Sequence, residues 1–122
     1  MSFCQNVINL IEAKQNAGKY ARLVEFLDNK ISQLESEIEN AENALNAVDT
    51  NFKAYDDSAE GLLKDTFDFK ENAVWKSKYL EIIQNMRQGL CSLRMKKMSA
   101  SQLATYWEQR VNIEEIKLYA EF

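Results

Sequence analysis

Residues 10–55, LIEAKQNAGKYARLVEFLDNKISQLESEIENAENALNAVDTNFKAY, decide the fold. An apolar residue or an alanine falls at alternating steps of three and four along this stretch: Leu10, Ala13, Ala17, Tyr20, Val24, Leu27, Ile31, Leu34, Ile38, Ala41, Leu45, Val48, Phe52 and Tyr55. Two such steps return to nearly the same side of an α-helix, so the spacing predicts one long helix with a narrow apolar stripe. A stripe that narrow draws most of its stability from another helix laid along it.

The second half of the chain supplies a candidate partner. Tyr79, Ile83, Met86, Leu90 and Leu93 step by four and three, and Ala100, Ala104, Trp107 and Val111 continue the phase beyond Lys97, while Leu80 and Ile82 widen the stripe. Between the two patterns lie Asp56, Asp57, Ser58 and Gly61, residues that compete with or relax helical backbone and so favour a turn. Asp68 and Glu71 have capping-box spacing, which places the start of a second helix near Phe69. The expected fold is all-α: one domain over residues 1–122, a long coiled-coil-like antiparallel hairpin with helix one at about 3–56, a turn at about 57–67 and helix two at about 68–120. Ser99 and Gln102 also have capping-box spacing, so the sequence allows a break in the second helix near residue 99, and Leu62, Leu63 and Phe67 allow a short connecting helix over 59–67.

Charge supports the antiparallel pairing. The net charge of −4 hides an asymmetry, with eleven acids and five bases in residues 1–60 and eight acids and ten bases in residues 61–122. Glu35, Glu37, Glu39, Glu42 and Asp49 run without an interposed base, whereas Lys76, Lys78, Arg87, Arg94, Lys96 and Lys97 meet only Glu81. A fold-back near residue 62 brings the two stretches together and selects the register, although each exposed pair contributes only about 0–1 kcal/mol.

Composition argues against chemistry. Histidine, the usual general base and commonest metal ligand, is absent, and Gly18, Gly61 and Gly89 are too dispersed to form a phosphate loop. Glu35 with Glu39 and Glu108 with Glu115 read as solvated acids, because a di-metal bundle needs inward carboxylates with histidines three residues on. The short basic cluster Arg94-Met95-Lys96-Lys97 is too small to suggest nucleic-acid binding in an acidic chain. Cys4 and Cys91 fit neither a disulfide framework nor a metal motif and read as packed or idle thiols that a hairpin keeps apart. No apolar run approaches the roughly eighteen residues of a membrane span, and Met-Ser-Phe-Cys-Gln-Asn lacks the features of a cleavable export signal. The expectation is a non-enzymatic helical protein without cofactor or metal, cytoplasmic or exported together with a partner.

Aromatic residues mark the candidate contact surfaces. Phe52, Tyr55, Phe67, Phe69, Trp75 and Tyr79 gather at and before the expected tip, as its own small core or as a contact surface. Tyr106 and Trp107 point about 100° apart on a helix, so with Trp107 in the stripe Tyr106 faces outward with Leu103 and Ile113. The candidate partner-binding residues are therefore Phe67, Phe69, Trp75, Ser77, Tyr79, Leu103, Tyr106 and Ile113.

Trp75-Lys76-Ser77, following Ala73-Val74, resembles the Trp-x-Gly turn of the small helical-hairpin proteins of bacterial type VII secretion and their relatives that accompany LXG toxins, with serine at the glycine position. That family's export signature, an aromatic residue followed four positions later by an acid, is not met by Tyr106, which has Arg110 at that offset. The resemblance implies an accessory subunit that binds the N-terminal helical domain of an LXG toxin, together with a second small helical protein in some assemblies, and acts as its targeting partner or chaperone. Two alternatives of different kinds stand beside it: a self-associating coiled-coil scaffold whose seam pairs with its own copy, and a chaperone of type III or flagellar export.

Overall fold

A computed structural model describes the backbone of residues 2–58 and 69–121 and the side chains of residues 2–51 and 74–121. Two helices account for nearly all of it: α1, Phe3–Ser58, and α2, Phe69–Ala120, packed as an all-α antiparallel hairpin. α1 begins at Phe3 and α2 closes at Ala120. Ser2 opens α1, its Oγ accepting the Gln5 N–H at 3.2 Å and its carbonyl accepting the Asn6 N–H at 3.1 Å. The expected turn, the Asp68 cap and the short helix over 59–67 lie outside the described residues, as do the side chains of Phe52, Tyr55, Phe67 and Phe69.

One expectation needs correction. α2 passes through Ser99 without the break its capping-box spacing allows. The reason lies in the seam: Ala100 and Ala104 are both buried, and they share the three-four phase of Leu90 and Leu93 before them and Trp107 after them. A restart at Ser99 would displace that phase and expose one side of the break.

The chain divides into two compact units, a terminal one formed by Met1–Ile31 with Ser92–Phe122 and a central one formed by Ser32–Cys91. In the central unit Ile38 and Leu45 from α1 and Ile83 and Leu90 from α2 are buried, with Leu34, Ala41, Tyr79 and Met86 half-buried between them. Asp49 pairs with Lys76 at 2.7 Å and Glu42 with Arg87, so position rises along one helix as it falls along the other. The acidic arm thus meets the basic arm as its charges predict.

In the terminal unit the buried apolar residues are Ala13, Leu27, Ile31, Ala100 and Ala104, with Leu10, Ala17, Tyr20, Val24, Trp107 and Val111 half-buried. Three alanines among five buried positions make this seam thin, and short seam side chains let helix axes approach closely. The seam also carries polar residues. Asn6 and Glu114 are buried, and Lys97 is half-buried at a stripe position with its ammonium 2.5 Å from Asp28 Oδ1. Asn6 Nδ2 donates to Glu121 Oε1, and Lys14 approaches Glu115 at 3.8 Å.

Candidate functional site

The site follows from which side of the seam the charges occupy. Lys14, Asp28, Glu42 and Asp49 recur at multiples of seven, one position after the seam residues Ala13, Leu27, Ala41 and Val48, and so project from one flank of α1. All four hold an ion pair with α2: Lys14 and Asp28 in the terminal unit, Glu42 and Asp49 in the central unit. That flank is closed by charge.

The opposite flank is built differently. On α1 its terminal-unit positions include Leu23 and Lys30, one residue before Val24 and Ile31, and on α2 they include Lys96, Leu103 and Arg110. Leu23 and Leu103 form opposite walls of an open groove of about 470 Å³. Its floor is Leu27 and Ala100, Ser92 and Ser99 lie along it, and Met95 and Lys96 complete the α2 side. Leu23, Met95 and Leu103 are exposed, as is Phe26 one turn from Leu23. Around them the side chains are short, because the alanines and serines that allow close helix approach leave nothing to cover the leucines.

The strip continues along α2. Leu103, Tyr106 and Ile113 are 42%, 50% and 41% exposed, and their spacing of three and seven keeps them on one side of the helix. Trp107 is half-buried in the seam and meets the Tyr106 ring edge-on, with centroids 5.1 Å apart. Tyr106 therefore faces outward and Trp107 inward, as the 100° offset requires. Beside them Glu114, 1% exposed, borders a cleft of about 210 Å³ shared with Asn9, Glu12, Ala13, Tyr106, Trp107 and Arg110. Arg110 Nη2 donates to Glu114 Oε1 at 2.7 Å and Lys117 Nζ lies 3.6 Å from the same oxygen, while Glu114 Oε2 has no hydrogen-bond partner among the described residues.

The remaining candidates lie in the central unit. Trp75 is exposed on the same flank of α2 as Ile82, and its ring stacks on Tyr79 at 5.4 Å with Tyr79 half-buried. Ser77 is exposed about 200° around the helix from Trp75, so the two do not share a surface. Leu80 and Ile82, which widen the apolar stripe, remain exposed on either side of the seam. The structure thus brings Leu103, Tyr106 and Ile113 onto one strip and Trp75 and Tyr79 into a stack. The sequence reading missed Leu23, Phe26 and Met95; the signal was available, since Leu23 lies one residue before a stripe position and Phe26 one helical turn further on.

Nothing among the described residues adds a second kind of chemistry. No group of three or more His, Cys, Asp or Glu side chains is placed there to hold a metal ion, and no described helix is long and apolar enough to cross a membrane. Cys4 and Cys91 are free thiols, exposed instead of packed because neither falls at a buried seam position. A scan against protein-family models gives no match, and neither do searches against curated proteins and solved structures.

Proposed function

We propose that this chain is a non-catalytic adaptor that binds a helical segment of another protein. The observation that carries the reading is the unsealed groove of the terminal unit, where Leu23, Met95 and Leu103 stand exposed over a floor of Leu27 and Ala100. A hairpin with one flank closed by ion pairs and the other lined by exposed leucines is a bundle short of a member, and a partner's helix is the element that completes such a bundle. The Trp75-Lys76-Ser77 resemblance extends the proposal to the N-terminal helical domain of an LXG toxin, with the chain as its cytoplasmic targeting partner or chaperone, carried out together with its cargo through a type VII system. Co-expression with the helical domain of a neighbouring secreted toxin should give a complex that survives size-exclusion chromatography. A monodisperse monomer that ignores every neighbouring product counts against the adaptor.

Self-association is the second reading, favoured by the same exposed strip, since Leu103, Tyr106 and Ile113 can meet their counterparts in a second copy. Light scattering separates the two: a tight homodimer whose mass does not change when the toxin domain is present supports the scaffold.

A further inference from the structure

We propose that the groove between Leu23 and Leu103 selects an acidic amphipathic helix, an inference that rests on the adaptor reading and assigns its partner a charge. The groove's cations are Lys19 and Lys30 on α1 and Lys96 on α2, all exposed. Lys96 lines the groove, and the Lys30 ammonium lies 5.5 Å from the centroid of the Phe26 ring on its rim. None of the three forms an ion pair with a described residue, whereas Arg110 and Lys117 further along are both engaged by Glu114.

The acids of the terminal unit point elsewhere. Asp28, Glu108 and Glu115 occupy the flank closed by ion pairs, Glu25 lies beside that flank, and Glu12 lies two turns before Lys19, at the Glu114 cleft. Within the terminal unit the groove therefore has a rim of one sign, opposite to the net charge of −4 of the whole molecule. Fixed cations beside an apolar strip favour an incoming helix whose own apolar stripe is bordered by Glu or Asp, and disfavour one bordered by Lys or Arg.

The strip also fits a helix by its period. Ser92, Met95, Ser99, Leu103 and Tyr106 recur at three- and four-residue steps, a second seam beside the one that pairs α2 with α1. A third helix following both walls would bury Leu23, Phe26 and Met95 together with that seam. Serine and alanine beneath it set the depth to which the incoming side chains reach.

The test uses the full chain and two fluorescein-labelled, side-chain-stapled helical peptides that share one leucine stripe and differ only in carrying Glu or Lys beside it. Fluorescence anisotropy should show the Glu peptide binding about tenfold more tightly at low salt, the size expected of three exposed charge contacts. The margin should shrink as salt rises. Leu103→Asp, at an exposed position, should abolish binding without altering the circular dichroism spectrum. The double variant Lys30→Glu with Lys96→Glu should reverse the preference, an outcome that loss of folding cannot imitate. Equal affinity for both peptides, preference for the Lys peptide, binding untouched by Leu103→Asp, or stronger uptake by phosphatidylglycerol vesicles than by the Glu peptide would each overturn the proposal. A toxin domain that still co-purifies with the Leu103→Asp chain would overturn the groove assignment while leaving the adaptor reading intact.

Discussion

Glu114 carries a charge where the three-four phase of the seam places an apolar side chain. Its carboxylate is held on one oxygen by Arg110 and Lys117, and the other oxygen has no hydrogen-bond donor among the described residues. A buried ion of this kind contributes little net stability while paired and costs much when a partner is removed. Arg110→Ala should therefore destabilise the chain by about 2 kcal/mol or more, whereas Glu114→Leu, which removes the charge and keeps the volume, should stay within about 1 kcal/mol of the parent; urea denaturation measures both. Small net energies with a fixed geometry suit a residue that sets register. Asn6 and Lys97 are of the same kind, and all three were legible in principle: four residues before Leu10 lies Asn6, four after Leu93 lies Lys97 and three after Val111 lies Glu114. They do not stand out because a stripe is recognised by its apolar letters, and a polar residue in phase looks like its end.

At the scale of the helices, existence and type were written plainly in the chain. A heptad spacing sustained across each half admits only helix, and Ser2 marks a start that local side-chain chemistry supports. The break near Ser99 was the exception, because a serine and a glutamine three residues apart satisfy a capping rule whether or not the chain needs a cap. Tertiary burial decides between them, and Ala100 and Ala104 hold the helix through. Ser101→Pro separates the two arrangements. In the interior of a continuous helix it should cost about 3 kcal/mol, visible as a large fall in melting temperature, whereas in the first turn of a helix restarting at Ser99 proline would be well tolerated.

For the whole molecule, the difference between the flanks matters more than the strength of either. Four ion pairs on one flank, with partly exposed side chains, together contribute on the order of one well-buried leucine, yet they leave α2 one way to lie against α1 in each unit. The opposite flank of the terminal unit has no such seal. This asymmetry was half legible: Lys14, Asp28, Glu42 and Asp49 stand seven or fourteen residues apart in the sequence, and so do Lys96, Leu103 and Arg110. Which row of α2 faces which row of α1 depends on the pairing register, and a single sequence fixes that only through residues such as Glu114 whose burial is not evident beforehand. Leu27 and Leu103 border the same groove, one as buried floor and one as exposed wall, and thermal melting of Leu27→Asp beside Leu103→Asp separates the two roles. An aspartate at residue 27 should unfold the chain at ordinary temperature, while one at residue 103 should leave the melting temperature close to that of the parent. Equal collapse of both variants, or tolerance of both, would contradict that division of roles.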